Sequence, residues 1–158
     1  MKILLDKGAD VNAQGGRFYD NALEAASAGG HQEVVRTLLA KGADLNARGG
    51  YHGTALHAAV TGGNETDFLA DEGGNETDPL ADDGGEEEDD YYGKTAQILV
   101  ENGAGVNTQS GKYGTVLQAA SRYGRWKDVR SLLDNGAAVN TKAGKYGTAL
   151  LAASRFGH

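Results

Sequence analysis

Cysteine is absent from the chain, which excludes disulfides, thiolate zinc centres and cysteine nucleophiles. Proline occurs once, at Pro79, and glycine shows no three-residue period, so a collagen-like chain is excluded as well. No apolar run approaches the ~20 residues that a membrane helix requires. The opening Met1-Lys2-Ile3-Leu4-Leu5-Asp6 is apolar over too short a stretch for a signal peptide. The expected setting is therefore soluble and intracellular, cytoplasmic or nuclear, with no membrane partner. Bases are missing from residues 65–92, which hold 13 acids. Residues 104–158 reverse the balance with eight bases (Lys112, Arg122, Arg125, Lys127, Arg130, Lys142, Lys145, Arg155) against Asp128 and Asp134. The net charge of −7 thus conceals a neutral-to-basic body interrupted by an acidic segment. The residue in excess is glycine, 25 of 158, more than twice the usual share of ~7 %.

The glycines are placed by an internal repeat. Gly8-Ala9-Asp10-Val11-Asn12 recurs as Gly42-Ala43-Asp44-Leu45-Asn46, Gly103-Ala104-Gly105-Val106-Asn107 and Gly136-Ala137-Ala138-Val139-Asn140. A second phrase begins at Asn21, Thr54, Thr115 and Thr148 and runs into alanine pairs, as in Thr54-Ala55-Leu56-His57-Ala58-Ala59. The steps are 33, 61 and 33 residues, so the middle unit has gained 28. Asn21, Thr54, Thr115 and Thr148 suit a helix N-cap, where the side-chain oxygen accepts a free backbone N–H. Gly30, Gly63, Gly124 and Gly157 are expected to stop that helix. A second helix follows, clearest in the apolar stripe of Val34-Val35-Arg36-Thr37-Leu38-Leu39, and Gly42, Gly103 and Gly136 close it. The glycine- and asparagine-rich stretch between units predicts an extended, hairpin-like loop.

These motifs resemble the ankyrin repeat over about 130 residues: the 33-residue period, the threonine–x–leucine–x–alanine–alanine helix start, Gly30-His31 and Gly157-His158, and the closing glycine–alanine–aspartate–x–asparagine. The family's proline after the threonine is replaced by Ala22, Ala55, Val116 and Ala149. With the Tyr-Gly-Thr lead-ins at Tyr113 and Tyr146, this is similar to the subtype common in large fungal ankyrin proteins, often behind a nucleotide-binding NACHT module. The threonine–histidine pair is complete only at Thr54 and His57, so helix starts elsewhere are expected to be weaker. The resemblance implies an all-α fold, an ankyrin-repeat solenoid of stacked helix pairs with hairpin-like loops. Its parts are repeats over 1–64, an insertion over 65–92 and repeats over 93–158. With half units at both ends, the chain is expected to be a piece of a longer array or a truncated product.

The insertion is a duplication. The segment from Gly62 to Glu72 and that from Gly73 to Asp83 agree at nine of eleven places. Its acidity and few apolar groups predict a disordered loop, because little surface is available to offset chain entropy. Its glycine–glycine–x–x–x–aspartate–x–leucine pattern is similar to the calcium-binding nonapeptide repeat, but the period is eleven and Glu65 and Glu76 replace a required glycine, so no folded metal site is expected. Gly93-Lys94-Thr95 lacks the earlier glycine of a phosphate loop, Glu88 standing in its place. Asn64 and Asn75 begin glycosylation sequons that stay bare without secretion.

No His-Glu-x-x-His spacing or Ser–His–Asp grouping is present, so no enzyme and no cofactor are expected. Two equivalent columns stand out instead: Tyr19, His52, Tyr113 and Tyr146 before each first helix, and Arg122-Tyr123 with Arg155-Phe156 late in it. One reading is a structural ladder of rings; the other is an aromatic–arginine binding surface, since such residues dominate interface hot spots. On the second reading the partner-binding residues are Tyr113, Arg122, Tyr123, Arg125, Lys142, Lys145, Tyr146, Arg155 and Phe156. The resulting expectation is a non-catalytic protein–protein interaction module with a protein partner, an acidic one suiting the basic third. The alternatives are polyanion binding by that third, with nucleic acid disfavoured by the anionic whole, or a fragment without retained function.

Overall fold

The computed structural model describes residues 1–16, 18–62 and 88–158. The helices are α1 (Lys2–Asp6), α2 (Ala22–Ala28), α3 (Gln32–Ala40), α4 (Ala55–Thr61), α5 (Glu88–Glu101), α6 (Val116–Arg122), α7 (Trp126–Asp134) and α8 (Ala149–Phe156). Two short strands, β1 (Gln109–Ser110) and β2 (Gly114–Thr115), pair antiparallel with Gln109 opposite Thr115 and Ser110 opposite Gly114. Single bridges at Gly49–Gly53 and Ala143–Gly147 mark the matching hairpins of the neighbouring units.

Each first helix starts as its sequence dictates. The side chains of Asn21, Thr54, Thr115 and Thr148 accept the backbone N–H three residues on, from Glu24, His57, Gln118 and Leu151. Such a cap is worth about 1 kcal/mol. The start at Thr115 is not the weak one the missing histidine suggested: Gln118 returns a bond to the Thr115 N–H at 2.7 Å, completing a capping box. The left-handed stop of α4 is Gly62 (φ 63°), one residue before the expected Gly63, which lies outside the described residues.

The first helices stack, α2 on α4, α4 on α6 and α6 on α8, and α2, α4 and α6 lean on their second helices α3, α5 and α7. The alanines permit the close approach: Ala26, Ala58, Ala59, Ala119, Ala120 and Ala152 are buried together with Leu23, Leu56 and Leu117. The hairpins join along the same axis, with the Tyr51 N–H donating to Phe18 O at 2.9 Å and the Lys145 N–H to Lys112 O at 3.1 Å. A ladder of asparagines ties the turns beneath: Asn12 bridges Gly42 O and the Asp44 N–H, and Asn107 bridges Gly136 O and the Ala138 N–H.

Helix α5 begins at Glu88, inside the segment 65–92 set apart on sequence grounds. The rest of that segment, including the duplicated copies, the sequons and the calcium-like pattern, lies outside the described residues.

Candidate functional site

The two columns singled out in the sequence meet in one network. Tyr19 stacks on His52 at 5.7 Å between ring centroids, and Tyr113 on Tyr146 at 6.4 Å, both pairs within 14° of parallel. The late-helix residues close the ladder from the side: Thr61 Oγ1 bonds His52 Nδ1 at 2.9 Å, Tyr123 meets Tyr113 edge-on with the two hydroxyls 2.9 Å apart, and Phe156 meets Tyr146 edge-on. Arg122 occupies the centre. Its Nε donates to the Tyr146 hydroxyl at 2.9 Å, and its guanidinium carbon lies 4.5–5.7 Å from the centroids of Tyr113, Tyr123, Tyr146 and Phe156.

This placement divides the nine expected partner-binding residues. Tyr113, Arg122 and Tyr146 are buried, 0 %, 2 % and 8 % exposed, so a docking protein has no route to them without unpacking the stack. Rings spaced one repeat apart cover one another and enclose the guanidinium. Tyr123 and Phe156 are half-buried on the flank of the same cluster. Lys142 and Lys145 on the last hairpin and Arg155 on α8 are exposed, Arg155 lying 6.0 Å from the Phe156 ring. Arg125 is elsewhere, at the start of α7, half-buried over Tyr92 of α5 at 4.9 Å and 4.0 Å from Asp128.

A third column went unnoticed in the sequence although its signal was there: the fourth residue of each helix-start phrase, Glu24, His57, Gln118 and Leu151. His57 Nε2 bonds Gly114 O at 3.0 Å, and its Nδ1 bonds Thr54 Oγ1 at 2.8 Å. A carbonyl only accepts, so Nε2 bears the hydrogen that meets Gly114 O. Burial, its largest cause, pushes the pKa of His57 from 6.5 down to about 4. Gln118 Nε2 spreads over Thr141 O, Ala143 O and Gly147 O of the next hairpin. Both side chains cross from one repeat to the backbone of the next.

Among the described residues no group of three or more His, Asp or Glu side chains is placed to hold a metal, and no helix is long and apolar enough to cross a membrane. An open depression of about 630 Å³ lies between Tyr92 and residues 29–34.

Residues 22–69 match the family model described as ankyrin repeats (many copies). No curated protein matches the chain. The mostly helical stack, with helices packed in pairs and the same caps and hairpins recurring toward residue 158, is consistent with an ankyrin-repeat array.

Proposed function

We propose that this array is a non-catalytic module that binds an acidic segment of a protein partner. Ankyrin repeats typically serve in protein interaction, with loop tips and first helices as the usual binding face. The observation that supports an acidic partner is the exposure of Lys142, Lys145 and Arg155 beside a buried aromatic ladder. The ladder fixes the last hairpin, so these cations present a preorganised surface, and preorganisation lowers the entropic cost of binding. The Tyr-Gly-Thr lead-ins support placing the array in the fungal subtype associated with NACHT modules.

The test is titration of a fluorescent acidic peptide with the whole chain. Lys142→Glu with Lys145→Glu should weaken binding at least ten-fold in low salt, since like charges then face the peptide. The affinity should fall as salt shortens the screening length toward ~3 Å at 1 M. Unchanged affinity in the double variant refutes the assignment of the surface. Tighter binding of a single-stranded oligonucleotide than of the peptide, with a steep salt slope, would favour the polyanion reading instead.

A further inference from the structure

Glu24 holds the place that His57 and Gln118 hold in later repeats, but its chemistry is reversed. His57 and Gln118 donate to carbonyls of the next hairpin. A carboxylate only accepts. Glu24 is 1 % exposed, its Oε2 accepts the Asp20 N–H at 2.8 Å, and its Oε1 has no hydrogen-bond partner among the described residues. The carboxyl lies directly against the second unit's hairpin: a Cβ on Gly50 would sit 2.8 Å from both its oxygens and 2.6 Å from Phe18 O. By the repeat register, the carbonyls that Gln118 meets at Thr141, Ala143 and Gly147 correspond here to those of Ala47, Gly49 and Gly53. Backbone N–H groups of His52 and Gly53 point toward the carboxyl as well, but Oε1 makes no hydrogen bond among the described residues, and a carboxylate oxygen buried in this way favours the protonated form.

We propose that Glu24 is a proton-operated latch: protonated, it seals the first helix pair against the hairpin at residues 48–53, and ionised, it loosens α2 from α4 while α6 and α8 stay packed. The surrounding groups agree. Burial is the largest influence and raises the carboxyl's pKa from 4.5 to about 7; the charge of Asp20 raises it further, while backbone N–H groups of Asp20, Gly53 and His52 pull the other way. The charge that acts on Glu24 is that of Asp20, on the loop before α2, whereas Arg48 and His52 of the hairpin act on His57 of α4. Among the described residues, helices α3 and α5, which also pack on α2, contribute none of the charges that act on Glu24. The sign follows from linkage: a carboxyl whose folded pKa is raised favours folding below pH 4.5, and this contribution is lost as pH rises through about 7. For those two pKa values the opening equilibrium of the first pair grows about ten-fold between pH 6 and pH 8.

The experiment is amide hydrogen exchange on the whole chain at pH 6 and pH 8, corrected for intrinsic rates. Protection at Leu23, Ala26 and Ser27 should fall about ten-fold relative to Leu117 and Ala120 in the native chain, and should stay level in Glu24→Gln, whose amide can donate as Gln118 does. Level protection in the native chain, or an equal fall in Glu24→Gln, overturns the latch. Should Glu24→Gln not fold, the carboxyl carbon of Glu24 in the native chain is titrated by NMR. A midpoint near 7 sustains the proposal and one near 4.5 overturns it.

Discussion

The clearest energetic test lies in the guanidinium enclosed by the ring ladder. Arg122 is 2 % exposed and gives its Nε–H to Tyr146 Oη at 2.9 Å, with four ring faces or edges around it. Removing the acceptor by Tyr146→Phe leaves a buried donor on a cation without that bond, which costs about 1.5–3 kcal/mol. Arg122→Met keeps the length of the side chain and removes the charge. The lost cation–π attraction, of order 0.5–2 kcal/mol, is offset by a desolvation cost that no longer arises. The Tyr146 hydroxyl is then left without its donor, and since a neutral group costs less to leave unpaired than a charged one, the net cost should be only about 1 kcal/mol. In the double variant both halves of the bond are gone, and its cost should fall short of the summed singles by about 1–2 kcal/mol. Urea unfolding followed by far-UV circular dichroism at pH 7 gives all three values. Additivity within about 0.5 kcal/mol would refute the claim that this bond couples α6 to the following hairpin. So would an Arg122→Met variant costing more than Tyr146→Phe.

Two further outcomes test the neighbouring features. His57 is fully buried with its pKa pushed down to about 4, so its neutral form favours folding above pH 6.5 and that contribution, up to about 3 kcal/mol, is lost as pH falls from 6.5 through 4; His57→Gln should flatten this acid limb in urea midpoints measured from pH 7 to pH 4. Gly114 has φ +85° and an added Cβ would strike the Gln118 side chain and come within 2.8 Å of the Ala143 carbonyl carbon, whereas Gly8, at φ +91°, would meet nothing within 4 Å; thermal melts should show Gly114→Ala costing about 3 kcal/mol or more and Gly8→Ala about 1.

Much of the fold was legible because its repeated units are built from local signals. Caps at Asn21, Thr54, Thr115 and Thr148, and closing glycines at Gly42, Gly103 and Gly136, each act within a few residues, so a reader of the chain sees them directly. The candidate site was less legible because it is made between repeats. Arg122 and Arg155 are equivalent in sequence, yet Arg122 is buried and Arg155 exposed. The difference is the following hairpin: Tyr146 covers Arg122, and within these 158 residues no hairpin follows Arg155. The start of α5 at Glu88 was hidden for another reason, since its acidic opening resembles the composition of the segment before it.

The fourth place of the helix-start phrase shows how one backbone geometry can give interfaces of different character. The cap holds Glu24, His57 and Gln118 against the next hairpin. Glutamine, with both a donor and an acceptor, satisfies its own cap and the neighbouring carbonyls at once, and its interface is independent of pH. Histidine does the same, but burial penalises its protonated form, so the second interface weakens in acid. Glutamate does so only while protonated, so the first weakens as pH rises. Leu151 can make no such bond, and it is exposed. Since the remaining contacts of the three interior positions are alike, alanine pairs stacked between capped helices, the pH response of each junction is set by this one side chain. Exchanging Glu24 and His57 for glutamine should therefore remove the opposed alkaline and acid limbs separately, without altering the stack that both interrupt.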